Sequence, residues 1–259
     1  MEKISDELLQ TLFDKLPDKE KPKQLYFRGL PQLLQKRKIA IVGARRASKY
    51  GKTQTYLLAN RLSSCGFAVV SGAAEGIDAS AHDGAGQSTI AVMPCGLDIC
   101  YPQANKNLIE KMYKNSLALS EYEEGEMPRG YTFVHRNRLV VGMSEAVVVA
   151  EADEKSGSMR SAEYALKYDI PLYVLAHRID ESMGTNRLLR EGVAKPIFDI
   201  DGFIRSLGGS IVPKGNGDAL AFAATSPSSA EFLAKFGDIM YELELNGDIA
   251  VKNGKVIAL

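Results

Sequence analysis

The sequence predicts an α/β protein: an open, mostly parallel sheet with helices on both faces, followed by a small C-terminal helix-and-hairpin module. Three observations predict it. Short apolar runs alternate with helix-length patterns from residue 38 to about residue 200, which is how successive βα units read. The run Ala146-Val147-Val148-Val149-Ala150 is apolar on both faces, as a central parallel strand should be. The apolar run from Lys38 ends at Gly43, continues through Arg45 and Arg46, and opens a helix pattern at Ser48. That is the first βα turn of such a sheet, where anions settle on exposed backbone N–H groups.

Bulk properties narrow the class. The 259 residues allow one large domain, or one plus a small appendage. With 45% hydrophobic and 25% charged residues the composition is that of an ordinary soluble globular protein. Thirty-two basic residues balance 32 acidic ones, so a polyanionic partner is not signalled globally and any basic surface must be local. Cys65, Cys95 and Cys100 are odd in number, sit at no metal-ligand spacing, and read as reduced thiols of a cytoplasmic protein. The start carries Glu2, Lys3, Asp6 and Glu7, too charged for a signal peptide, and no apolar run is long enough to span a membrane.

Residues 1–37 read as an N-terminal extension. Leu8, Leu9, Leu12 and Phe13 suit one amphipathic helix, and 22–29 an extended edge piece leading into the sheet. Strand one is 38–43. The helix over 48–64 turns Tyr56, Leu57, Ala59 and Leu62 inward and closes at Gly66. Strand two, 67–71, runs into Ser71-Gly72-Ala73-Ala74, a second strand–turn–helix built from tiny residues that let a ligand or a backbone come close. Asp78 and His82, four apart, share a helical face as either a helix-stabilising hydrogen bond or a catalytic pair.

Strand three at 89–93, a helix around 105–114 and strand four at 117–120 follow. The loop 121–126 is acidic, would repel nucleic acid, and belongs to a rim or an unrelated face. Then the sign reverses. Residues 128–138 hold Arg129, Arg136 and Arg138 with Tyr131 and Phe133, and basic groups interleaved with aromatics suit single strands. On a helix from about Thr132, Phe133, Asn137 and Val140 share a face, while Arg136 and Arg138 point to different sides. At most one of the two reaches the ligand of Arg45, and the other braces the loop through a salt bridge. His135 alone supports no catalytic role.

After strand five, Ser156-Gly157-Ser158 opens the helix 159–167 and offers a third set of backbone donors. Strand six spans 171–176, a short helix 184–192, and a last strand 197–200. The main domain is thus 38–207. Residues 208–230, rich in Gly, Pro and Ser, read as a linker. Within 231–259 a helix and a hairpin around Asn253-Gly254 remain, too little to build a core alone.

The chemistry of the first turn lies in its arginines. Planar forks of donors match phosphate oxygens, so the turn grips a phosphate chain by side chain; the alternative is a surface loop with solvated arginines. A dinucleotide fingerprint is excluded because Arg45 stands where a second glycine belongs, and a P-loop because its first glycine would fall at Arg46. Neither NAD nor ATP, nor any other cofactor, is called for. No catalytic triad or metal-ligand set is present.

These blocks together resemble the DNA-processing protein A family (DprA, also called Smf) of bacterial natural transformation. The match runs through Ile41-Val42-Gly43-Ala44-Arg45 with Ser48, Tyr50 and Gly51; Ser71-Gly72 with Ala74, Gly76-Ile77-Asp78 and Ala81-His82; and Gly96-Leu97-Asp98 with Tyr101-Pro102. It continues through Ser120-Glu121, Phe133 with Arg136-Asn137-Arg138, Glu151-Ala152, Ser156-Gly157-Ser158 and Gly184 with Asn186. The resemblance implies an extended Rossmann-like domain that binds single-stranded DNA, forms a homodimer, shields the strand from nucleases and hands it to a RecA-type recombinase, without catalysis. It implies that Arg45 contacts phosphate and that Arg129 is the nearest match to a basic residue preceding the Phe-x-x-Arg-Asn block. The expected DNA-binding set is Gly43, Arg45, Arg46 and Ser48; Ser71 and Gly72; Arg129, Phe133, Arg136 and Asn137; and Lys155, Ser156, Gly157 and Ser158.

Two departures stand out. The N-terminal 37 residues leave no room for the helical domain many members carry, and the C-terminal module resembles only part of a winged helix. Dimerisation is expected around 170–200, where Leu172, Val174, Leu188 and Leu189 could supply a patch. The rival reading is an enzyme, similar to nucleoside monophosphate phosphoribohydrolases of the Rossmann type. It lacks their Pro-Gly-Gly-x-Gly-Thr-x-x-Glu block, but Glu163 could serve as the carboxylate.

Overall fold

The computed structural model describes residues 2–211 and 217–259; residues 212–216, within the stretch read as a linker, lie outside the described residues. The chain forms two compact units, Met1–Ser210 and Ile211–Leu259.

In the first unit the chain runs β1 (Glu2–Lys3), α1 (Asp6–Leu12), β2 (Tyr26–Gly29), β3 (Lys38–Val42), α2 (Lys49–Ser64), β4 (Ala68–Ser71), α3 (Ile77–Ala85), β5 (Thr89–Val92), α4 (Lys106–Asn115) and β6 (Leu117–Ser120). It continues with α5 (Gly130–Gly142), β7 (Ala146–Val149), α6 (Gly157–Lys167), β8 (Leu172–Leu175), α7 (Met183–Arg190), β9 (Lys195–Ile197) and α8 (Ile200–Ser206). The strands make one sheet in the order β1-β2-β6-β5-β4-β3-β7-β8-β9. From β6 to β9 every pairing is parallel, and the β1–β2 and β2–β6 pairings are antiparallel, so β2 runs against the other strands. This is the Rossmann-like sheet expected. Alternate strand residues such as Val42, Val70, Val92 and Val149 pack under α5 and α6. Ala91 and Ala118 point to the opposite face, beneath Ile109 and Met112 of α4.

Several expectations need correcting. The segment 1–37 is no extension. β2 pairs with β6, Tyr26 opposite Ser120, and Phe13, Leu16 and Leu25 are buried in the same core as the sheet. Local pattern showed an amphipathic helix and an edge piece, and the long-range pairing is what makes them part of the domain. On α2 the buried face is Thr55, Leu58, Ala59 and Leu62, whereas Tyr56 and Leu57 are 44% exposed. Ala59 and Leu62 face inward as expected, and Thr55 and Leu58 take the places given to Tyr56 and Leu57; Gly84 of α3 abuts the Tyr56 backbone. The last strand is Lys195–Ile197 rather than 197–200, because Asp199 accepts N–H bonds from Asp201 and Gly202 and starts α8 there.

The second unit holds α9 (Gly217–Ala223), α10 (Ser229–Phe236), α11 (Ile239–Leu245), β10 (Ile249–Lys252) and β11 (Lys255–Ala258). Here the sequence reading fell short twice. The supposed linker contains α9, and the single helix expected over 230–245 is broken at Gly237, whose φ of 59° closes α10. Ala219 and Ala223 of α9 join Phe232, Met240, Leu243, Ile249 and Val256 in a core of their own. A bridge between Ser228 and Lys255 precedes α10, so the unit runs helix, bridge, helix, helix, hairpin.

Candidate nucleic-acid interface

β3 lies between β4 and β7, so the strand order reverses there and the turns leaving these three strands open side by side at the carboxyl edge. Open α/β sheets take their ligands at such a point. A cleft of about 350 Å³ occupies it. Gly43, Arg45 and Arg46 line it from the first turn, Gly72 from the second, and Ser156, Gly157 and Ser158 from the third. Phe133, Arg136 and Asn137 of α5 form the remaining wall.

The turns are locked on one another, and that is what the glycines are for. A Cβ on Gly43 would lie 2.5 Å from Ile77 Cγ1 and 2.9 Å from the Glu151 carbonyl oxygen. Ala44 N–H donates to that same carbonyl at 2.7 Å, and the Ala44 carbonyl accepts from Ile77 N–H at 3.2 Å. Gly76 has φ 80° and presses against the carbonyls of Ala44 and Arg45, a position only glycine fills. The rigid turn leaves Arg45 and Arg46 exposed at the mouth. The Arg45 guanidinium sits over the Phe133 ring, 5.2 Å from its centroid, and Tyr101 meets the same ring at 5.5 Å. Tyr101 was absent from the expected set. Its place in the Gly96–Pro102 block was visible, but its packing on Phe133 comes only from tertiary structure.

Arg136 behaves differently from what its sequence neighbourhood suggests. It is 5% exposed, and its guanidinium donates to the Gly72 carbonyl at 2.5 Å and to the Val92 carbonyl. Asp78, equally buried, accepts from Ala74 N–H at 3.2 Å. Burial pushes the Asp78 carboxyl above the usual carboxylate range against the pull of Arg136, and burial likewise lowers Arg136. A Cβ on Gly72 would fall 2.5 Å from both the Arg136 guanidinium and the Asp78 carboxylate, so Gly72 makes room for this buried pair. Arg136 therefore gives the cleft floor positive potential and ties β4 to β5; it offers no free fork. Arg138 is the bracing arginine: buried, it binds Glu121 at 2.6 Å and pins the start of the acidic loop.

Other expected site residues are also committed elsewhere. Ser48 caps α2: its Oγ accepts from Gly51 N–H at 2.9 Å and donates to Glu151 at 2.7 Å. Ser71 is fully buried, with its hydroxyl on the Ile41 carbonyl at 2.6 Å. Arg129 caps α5 through its main chain, and Lys155 is exposed; neither lines the cleft. Asn137 does line it, donating to the Gly157 carbonyl at 3.4 Å and holding α5 against the start of α6.

Neither reading of Asp78 and His82 holds. The His82 ring meets Thr89 Oγ1 at 2.7 Å through Nδ1, and burial together with the Arg136 charge pushes its pKa down to about 3, so it stays neutral. Glu163 pairs with Arg160 at 2.7 Å in a separate surface groove and does not face the cleft.

The family described as DNA recombination-mediator protein A matches residues 4–208. A DNA processing protein DprA of Streptococcus pneumoniae is 38% identical over 176 residues, 66% of this chain and 62% of that relative. A protein Smf of Synechocystis is 38% identical over 175 residues, 66% of this chain and 44% of the relative. The chain thus spans between two fifths and two thirds of the length of these relatives. DNA processing protein A of Helicobacter pylori, whose structure was described for its single-stranded DNA binding mode, superposes with a TM-score of 0.76 at 44% identity, over 80% of this chain and 94% of that one. The Streptococcus pneumoniae DprA structure gives 0.73 at 34% identity, covering 79% and 73%. The matched span contains every strand of the sheet except β1 and every residue of the cleft, and on these grounds the chain belongs to the DNA recombination-mediator protein A family.

Proposed function

We propose that this protein binds single-stranded DNA in the switch-point cleft, with Arg45 and Arg46 on phosphates and the Phe133–Tyr101 pair as a platform for a base. The observation that carries the reading is the convergence of two exposed guanidiniums, an aromatic pair and a helix N-terminus on one cleft, in a protein with no net charge. Single strands need charge for phosphates and flat faces for bases, and a crevice walled by α5 and three turns has no room for a duplex. The Helicobacter pylori relative, whose structure concerns single-stranded DNA binding, supports the same ligand class here. In this reading the protein binds without catalysis: Glu163 is not among the residues lining the cleft, and Asp78, which does line it, accepts from Ala74 N–H and faces the buried Arg136. Handing the strand to a RecA-type recombinase in the cytoplasm during transformation is the role that fits such binding.

A homodimer completes the proposal, though not through the residues first expected. Leu172, Val174 and Leu188 are buried in the core, and Leu189 packs against it. Between β8 and α8 the most exposed apolar side chains are Ile179 and Phe198, 87% and 83% exposed, ahead of Met183 and Val193. The reading is tested by binding labelled single and double strands across a salt series. Single strands should bind with a slope of log affinity on log salt near −0.7 per phosphate contacted, and duplex should bind much more weakly. Equal affinity for duplex would sink it.

A further inference from the structure

The third turn of the cleft carries groups that gripping a strand by its arginines does not use. α6 begins there, and the Gly157 and Ser158 N–H groups are orphan donors at the positive end of the helix dipole, while Met159 N–H donates to the Ser156 carbonyl at 3.2 Å. Around a Cβ placed on Gly157 there is open space, with no heavy atom within 4 Å, so this end faces the cleft unobstructed. One turn further on, Ser161 lines the same cleft at 1% exposure, and its hydroxyl has no hydrogen-bond partner. The Ser156 hydroxyl at the cap lacks one as well. Buried hydroxyls are almost always satisfied, and leaving one unpaired costs about 1–3 kcal/mol. In a helix each Cβ leans toward the N-terminus, which aims Ser161 at the same space as the Gly157 and Ser158 N–H groups.

Two main-chain N–H groups and two hydroxyls without partners gather at this end of the cleft, and three free phosphate oxygens engage such a set more fully than the two of a phosphodiester within a strand. A phosphate monoester presents three free oxygens and a second charge. Two carboxylates also line the cleft: Asp153, which is exposed, and Asp78, which is buried beside the Arg136 guanidinium. Phe133 lies four residues from Asn137, a rise of about 6 Å along α5, and Asn137 donates to the Gly157 carbonyl, so the base platform and the start of α6 line the same cleft.

Resting on the reading of this cleft as the strand site, we propose that the N-terminus of α6 with Ser156 and Ser161 is a seat for a nucleotide's phosphate monoester, so that the cleft prefers a phosphorylated strand end or a free mononucleotide over an internal phosphate. The test compares one oligodeoxynucleotide carrying a 5′-phosphate, a 3′-phosphate or only hydroxyl ends, by fluorescence anisotropy on the full chain. Calorimetry then sets thymidine 5′-monophosphate against thymidine. At least one phosphorylated end should bind about ten-fold or more tightly than the hydroxyl form, the scale of one charge-assisted hydrogen bond.

Ser161→Ala should cut that preference several-fold. Gly157→Asp fits the open space and suits the helix end, so it should erase the preference with no loss in melting temperature. Thymidine monophosphate binding where thymidine does not would extend the seat to free nucleotides; failure there, with the end preference intact, limits it to strand ends. Equal binding of all three oligonucleotides overturns the seat while leaving single-strand binding standing. Monophosphate binding without any strand binding would do the reverse.

Discussion

Arg45 and Arg136 carry the same side chain to opposite fates. Arg45 is exposed on a turn whose geometry is fixed by glycines and main-chain bonds, so the guanidinium braces nothing but the Phe133 ring. Arg45→Ala should weaken single-strand binding by about 1.5–3 kcal/mol and flatten the salt slope by roughly one contact, with the melting temperature nearly unchanged. A variant that binds like the parent, or that unfolds, would show the arginine to be structural. Arg136 holds two carbonyls and faces Asp78 in the floor. His82 beside them makes a pH-dependent contribution whose sign is fixed. Its folded pKa of about 3 lies below the ordinary 6.5, so between these values only the unfolded chain takes up a proton. Stability should therefore fall as pH drops below about 6.5, by up to roughly 1.4 kcal/mol per pH unit from this residue. Asp78, raised by burial, works oppositely, its contribution growing as pH falls. Denaturant titrations at pH 7, 5.5 and 4.5 should show a shallower acid loss in His82→Gln than in the parent.

At the scale of elements, the N-terminal segment is the least obvious contributor to the site. Leu16 fills the room that Gly142 leaves on α5, and Glu20 accepts from Lys167 Nζ and Tyr168 Oη, each at 2.6 Å. Those bonds hold the Glu20 carboxyl below the usual range and fix the end of α6, the helix whose other end faces the cleft. Leu16→Ala should cost about 2–5 kcal/mol by chemical denaturation, the range of a buried leucine truncated in a packed core. A change below 0.5 kcal/mol would mean that the segment is only draped on the domain.

For the whole molecule, every residue lining the cleft precedes position 162, and all belong to the unit Met1–Ser210. A chain ending at Ser210 should fold and bind single strands within about three-fold of the parent, under 0.7 kcal/mol. Folded protein with a ten-fold loss would make the second unit part of the site. Phe198→Asp should shift the assembly toward monomer in light scattering at micromolar concentration, since a charge replaces the most exposed aromatic near the sheet edge. A parent that is itself monomeric would refute the dimer face outright.

Periodicity and punctuation are local properties, and what depends on them was legible in the sequence. The alternation of strands and helices, the turns after β3, β4 and β7, and the hairpin at Asn253-Gly254 all follow from residues within a few positions of one another. Because these turns belong to parallel strands, their convergence at one edge was also foreseeable, and most of the expected cleft residues do meet there. Only the tertiary structure decided which polar side chains are free to act. Arg136 is consumed by carbonyls 64 and 44 residues away, Ser48 by Glu151 at a separation of 103, and Tyr101 reaches Phe133 from another loop. The same holds for β2 against β6 and for Thr55 and Leu58, rather than Tyr56 and Leu57, on the buried face of α2. Burial and hydrogen-bond partners are set by neighbours in space, and a residue's own stretch of chain does not contain them.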